Sequence, residues 1–200
     1  MRALSLVGVG FLVVFVDLRF QGFDVVLDPV GWGMVAAGLG RLRERHPSFG
    51  TARTTAFVAL ALSVLQVAIG LADPVGSSWI GLLEVVADLG VVVTMCAALS
   101  ALLADVDPRR ARSVTMVRTA SIVLAVVLLP VGIWTAGTQG TTGMMTSVDA
   151  GPWSVPIVVL VLSGLAVRLW LIVLLFQVAP VIDGDERPLA DPEGPEPLVP

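Results

Sequence analysis

Residues 79–112 read WIGLLEVVADLGVVVTMCAALSALLADVDPRRAR. The run from Trp79 to Ala104 is apolar apart from Glu84 and Asp88. It exceeds the ~20 helical residues that a ~30 Å hydrocarbon core requires. Arg109, Arg110 and Arg112 follow almost at once. A long apolar run that ends in clustered arginine reads as a membrane span stopping on the side where Lys and Arg are retained.

The same grammar extends in both directions. Apolar segments run from about Ala3 to Leu18, Pro29 to Leu42, Thr54 to Ala72, Trp79 to Ala104, Thr119 to Thr135 and Val155 to Pro180. The gaps between them alternate in arginine content. Arg41, Arg43, Arg45 and Arg53 fall between the second and third segments, and Arg109, Arg110, Arg112 and Arg118 between the fourth and fifth. Arg2 precedes the first segment and Arg187 follows the last, whereas the odd-numbered gaps hold only Arg19. The charge rule therefore predicts an all-α bundle of six transmembrane helices with both ends cytoplasmic. The first two segments are the shortest. A five-span alternative makes the second re-entrant, but it puts the C-terminus outside and breaks the arginine pattern.

Composition agrees with a membrane protein. The chain has 200 residues, is 56% hydrophobic and only 14% charged, and has a mean hydropathy of +0.92. A soluble chain of this length needs a charged surface that is missing here. The net charge of −4 reflects the tail, where Asp183, Asp185, Glu186, Asp191, Glu193 and Glu196 cluster. Residues 1–180 are read as the bundle and 181–200 as a disordered, acidic, Pro-rich cytoplasmic tail. The basic gaps are short topology signals, so no nucleic-acid partner is expected. The partner is the lipid bilayer, with a membrane-protein partner or a second copy left open. Basic charge carried by Arg alone, with heavy Ala, Val and Gly use, associates with bacterial sequences, so the bacterial plasma membrane is the expected location. The start, Met1-Arg2 before an apolar run, lacks a small-x-small cleavage site and is read as a retained span.

Three outer gaps end in Pro followed by Trp: Asp28-Pro29 before Trp32, Asp73-Pro74 before Trp79, and Pro152-Trp153. Asp is a good N-cap and Pro suits the first helical position. These tryptophans, with Trp134, are expected at the outer headgroup interface. The fifth gap, residues 137–151, is Gly/Thr/Met-rich and reads as an outer loop.

Ionisable residues inside spans cost ~2.5–3.5 kcal/mol each on insertion scales, so each needs a partner or water. Glu84 and Asp88 lie four apart on one helix face, and Arg168 lies in the last segment. Asp88 is ~13 Å down its helix from Trp79, and Arg168 ~22 Å from Trp153. Because side chains tilt toward the helix N-terminus, Arg168 reaches up to Asp88 past Gly164. Glu84 lies a further turn away. Two readings follow: a polar site for an ion, proton or small polar substrate, or a structural pair that fixes helix register while Glu84 snorkels outward.

The first hairpin holds Asp17, Arg19, Asp24 and Asp28 within twelve residues. Its oxygens could converge on a cation, although the regular spacing of a calcium loop is missing. The structural reading has Arg19 bridging Asp17 and Asp24, Gly22 turning the chain and Asp28 capping the next helix. The word Gln21-Gly22-Phe23-Asp24, with Asp28, Gly31 and Trp32, resembles the N-terminal hairpin of uncharacterised small polytopic membrane proteins of bacteria. The resemblance covers about thirty residues. Leu27 stands where such relatives place Pro. It implies class and location, and no activity.

In the second segment, Gly33-x-x-x-Ala37 and Ala36-x-x-x-Gly40 are small-x-x-x-small patterns. With Gly8 and Gly10 they predict close packing of helices one and two. Pro130 is expected to kink its helix, Gln66 to act as interhelical glue, and Cys96 to pack as a small apolar group. His46 reads as a loop residue. No catalytic motif, cofactor site or metal cluster is read, so no enzyme type is assigned. The leading expectation is a structural or accessory membrane protein. The alternative is a small transporter or proton/ion-coupled carrier using Glu84, Asp88 and Arg168. An outer-face enzyme built on Asp17, Asp24 and Asp28 ranks third.

Overall fold

The computed structural model describes residues 3–15, 27–70, 74–139 and 154–183. All regular structure among them is α-helix: α1 (Ala3–Phe15), α2 (Leu27–Leu42), α3 (Pro47–Gly70), α4 (Pro74–Leu103), α5 (Pro108–Gln139) and α6 (Ser154–Asp183). Four contain stretches long and apolar enough to cross a bilayer: Pro47–Ile69, Leu82–Leu103, Pro108–Pro130 and Val158–Ile182. α1 is a shorter apolar helix. This architecture is compatible with a multi-pass membrane protein. The outer loop and the acidic tail beyond Asp183 lie outside the described residues.

Helix boundaries follow caps rather than hydropathy. α3 begins at Pro47 instead of Thr54, and α5 at Pro108 instead of Thr119. The Asp107 carboxylate accepts the Arg110 backbone N–H at 3.1 Å, and His46 Nδ1 accepts that of Ser48 at 3.2 Å. In each case a side-chain acceptor stands just before a proline, which suits a first helical turn. The loop assignment of His46 thus gains a capping role. Arg53, Arg109, Arg110, Arg112 and Arg118 consequently ride on helical turns, not in gaps. A helix ends where its backbone loses partners, whereas an apolar run ends where lipid does. At α4 the Asp73-Pro74 word does mark the start. At α2 the helix already includes Leu27, so Asp28 lies in its first turn rather than at a cap outside it.

Helices adjacent in sequence pack together, and α6 returns against α1 to close a ring. Directions alternate. Gly10 of α1 meets Gly31, and Gly38 meets the Ala3 carbonyl, so α1 and α2 are antiparallel. Gly90 of α4 likewise faces Thr55 of α3. Arg45 Nη1 donates to the Ile182 carbonyl at 2.6 Å, joining the α2–α3 turn to the end of α6. The α2–α3 and α4–α5 turns, with their arginines, therefore lie at one end of the ring.

Close packing of α1 on α2 runs through Gly10, Gly31 and Gly38. Gly31 and Gly38 are two helical turns apart and share a face. The predicted Gly33–Ala37 pair points elsewhere: an added Cβ at Gly33 meets nothing within 4 Å, and Ala37 is exposed. Gly40 turns to α3, where the Arg53 guanidinium covers it.

Burial is uneven along the ring axis. The buried core of α3 to α6 includes Phe49, Ala52 and Ala56 of α3, Val91, Val92, Met95, Cys96, Ala98, Leu99 and Leu103 of α4, Val114 and Val117 of α5, and Leu171, Ile172, Leu174, Leu175, Val178, Ala179 and Ile182 of α6. All of these lie toward the arginine end. Toward the other end, Leu83, Val85, Val126, Val158, Val159 and Leu162 are exposed. Such apolar exposure is what lipid-facing helices require. Among the described residues, α3 to α6 bury more apolar side chains toward the arginine end, while the α1–α2 seam stays packed at the other end through Phe11 and Trp32.

Candidate functional site

Two polar side chains on α4 project one turn apart between these two ends. Glu84 accepts a hydrogen bond from Trp32 Nε1 of α2 at 2.9 Å. Asp88 Oδ2 is ion-paired to Arg168 Nη2 of α6. No Cα atom of α4 lies within 8 Å of one in α2 or α6 among the described residues. Both links therefore cross the ring between helices whose backbones stay apart.

Phe11 of α1 joins the two links. Its ring meets Trp32 edge-on, with centroids 6.0 Å apart and planes at 73°. This is the arrangement favoured by aromatic quadrupoles. The Arg168 guanidinium lies over the other side of the site, 6.0 Å from the Phe11 centroid. That is the outer limit of a cation–π contact. Glu84, Trp32, Phe11, Arg168 and Asp88 thus form a closed side-chain circuit that starts and ends on α4.

Depth explains why these groups meet. Asp88 lies fifteen residues before the end of α4 at Leu103, or ~22 Å from it. Arg168 lies at nearly the same distance from the end of α6. An unpaired charge at this depth is costly, and pairing removes much of that cost.

Two cavities meet at the ion pair. The larger, about 310 Å³, is lined by Leu82, Val85 and Leu89 of α4, by Leu124 and Leu128 of α5, and by Gly164, together with Asp88 and Arg168. Its lining extends from the pair toward the arginine-poor end. The smaller, about 210 Å³, lies on the α1 side between Phe11, Val14, Phe15, Leu171 and Ile172, and again includes both charges. The pair is the partition between them. The Asp88 and Arg168 side chains remain 16% and 30% exposed, so neither is sealed in protein. Asp88 Oδ1 has no hydrogen-bond partner. A Cβ at Gly164 would meet nothing within 4 Å, so the space there is cavity and is not filled by Arg168.

Trp32 and Glu84 both depart from what their positions in the sequence suggest. Trp32 is 1% exposed and is not an interface marker. Glu84 does not snorkel outward. Both follow from one fact: a carboxylate facing the ring interior requires a donor, and the indole N–H is a donor only. Phe11 and Trp32 were missed as site residues. The available signal was a lone acid one turn from Asp88 with no basic partner at its depth. Trp79, Trp134 and Trp153 lie outside the described side chains, as do Asp17, Arg19 and Asp24 of the first hairpin, so the hairpin site has only Asp28 in view.

Other polar groups lie apart from the site. The Arg53 guanidinium is 5.3 Å from the Phe57 centroid, and its Nε has no hydrogen-bond partner. Gln66 Oε1 is buried without one, so its oxygen glues nothing among the described residues. Cys96 is buried in the core. Pro130 lies within α5.

No protein-family model, curated protein or solved structure matches this chain.

Proposed function

We propose that this protein is a small proton-coupled carrier of the bacterial plasma membrane, with Asp88 and Arg168 as its gate. The observation that carries this reading is the cavity that reaches the pair from the arginine-poor end. Ligand sites of this kind are largely apolar with a few convergent polar groups. Asp88 lines that cavity, and its buried Oδ1 has no hydrogen-bond partner. A proton bound at Asp88 cancels its charge and releases Arg168, and an unpaired arginine in a low-dielectric site favours rearrangement. Below the pair, the packed arginine end blocks passage until α6 moves. The test uses proteoliposomes loaded with a pH-sensitive dye under an imposed potassium diffusion potential. Wild-type vesicles are expected to acidify several-fold faster than Asp88→Asn vesicles. Equal rates in wild-type, Asp88→Asn and protein-free vesicles would overturn the carrier reading.

A structural or accessory role is the second reading, and the closed circuit through Trp32 and Phe11 favours it. A register lock needs the pair and the circuit but no proton movement, so the same assay separates the two.

Topology belongs to this proposal. Six spans with the arginine end in the cytoplasm place both basic turns on the retained side. α1 and α2, with 13 and 16 residues, are short for a bilayer core, and their pairing lets them cross as a hairpin. In a Cys96→Ala background, cysteines at Arg43 and Ser113 are expected to resist an impermeant maleimide in intact cells. Both should react in inverted vesicles. Labelling of either from outside would reject this orientation.

A further inference from the structure

The ion-pair gate does not use the arginines at the start of α5, and its cavity shares only Leu124 with the grooves on the outer side of that helix. A groove of about 520 Å³ lies between α4 and α5, lined by Ser100, Ala101, Ala104, Ala111 and Arg112. It shares Thr115 and Met116 with a second groove of about 540 Å³, which continues past Thr119 and Val123 to Ser163 of α6. Together they form one shallow, open trough along the outer side of α5. From Arg112 to Val123 the trough is ~16 Å long, about half of a ~30 Å hydrocarbon core, or one leaflet.

Its walls are apolar in effect. Thr115 donates to the Ala111 carbonyl at 3.0 Å, Thr119 to Thr115 at 3.0 Å and Ser163 to Val159 at 2.7 Å. Each hydroxyl is satisfied by its own helix and asks nothing of a ligand. Small side chains on α4 leave the trough wide at its charged end.

That end is cationic. Arg112 lines the groove, and Arg109, three residues before it on α5, is exposed outside the lining; neither side chain forms an ion pair among the described residues. Arg110 is held by Asp107 at 3.3 Å, which occupies that acid.

We infer that the trough is a binding site for an anionic phospholipid, with the phosphate on Arg109 and Arg112 and one acyl chain along α5. A zwitterionic lipid offers the same chain with a weaker attraction, and free phosphate offers the charge without the chain. Each basic residue near a membrane surface contributes ~1 kcal/mol toward anionic headgroups. Loss of both arginines therefore lowers affinity about tenfold or more.

The experiment is native mass spectrometry of the full chain in detergent micelles, titrated with phosphatidylglycerol or phosphatidylcholine. Wild type is expected to retain phosphatidylglycerol preferentially. Arg109→Gln/Arg112→Gln is expected to abolish the preference. Ala101→Phe/Ala104→Phe keeps the charges and fills the trough from its lipid-exposed side, and it should release bound phosphatidylglycerol. Equal retention of both lipids by wild type would overturn the inference. So would unchanged retention in the trough-filled variant, or displacement of the lipid by millimolar inorganic phosphate.

Discussion

Asp88→Asn will destabilise the bundle by about 3 kcal/mol, because it leaves Arg168 charged and unpaired at mid-membrane depth. Arg168→Gln will do comparable damage by stranding the carboxylate. Combining the two will recover most of the loss, since two neutral amides satisfy one another and neither carries a desolvated charge. The measurement is unfolding by sodium dodecyl sulfate in mixed micelles, followed by circular dichroism. Only this recovery identifies the cost as stranded charge. A double variant as weak as the single variants would show that the Asp88–Arg168 contact does not hold α4 to α6. The double variant also serves the functional question. It should fold like wild type yet lack Asp88-dependent acidification, which separates the gate from the scaffold.

The second large effect lies at the α1–α2 seam. A Cβ added at Gly10 would stand 2.8 Å from the Gly31 carbonyl oxygen and 2.9 Å from the Val35 backbone nitrogen. One added at Gly38 would stand 2.8 Å from the Ala3 carbonyl oxygen. Backbone atoms do not yield as side chains do, so the helices must separate. Gly10→Ala and Gly38→Ala are each expected to cost about 1–3 kcal/mol. Gly33→Ala, on the open face of the same helix, is expected to be neutral or to stabilise by about 0.5–1 kcal/mol through helix propensity. The same unfolding titration distinguishes them. Equal stability of Gly10→Ala and Gly33→Ala would mean that α1 and α2 do not approach this closely.

The contrast between these glycines shows where sequence reading stops. Small-residue spacing identified α2 as a close-packing helix, because absence of side-chain bulk is legible in the letters. It did not identify the face, because Gly31 and Gly38 on one side compete with Gly33 and Ala37 on the other. The partner decides between them. Helix starts behaved similarly. Asp73-Pro74 was readable as a cap, whereas Asp107-Pro108 was hidden by arginines that looked like loop. Hydropathy reports the lipid boundary, and the backbone hydrogen-bond ladder runs past it.

The candidate site divides along the same line. Glu84, Asp88 and Arg168 stand out in sequence because a charge inside an apolar run is expensive, and matched depth along two helices proposed the Asp88–Arg168 contact. Trp32 and Phe11 could not stand out, since an aromatic residue in an apolar segment is ordinary. What the letters alone determined was composition, the length of the apolar segments and the arginine partition, all of which follow from the transfer of single residues into lipid. What the tertiary structure decided was the ring closure of α6 on α1, the donor chosen by Glu84 and the cavities on either side of the ion pair. Those depend on where two helices distant in sequence place their facing surfaces, a quantity no single segment encodes.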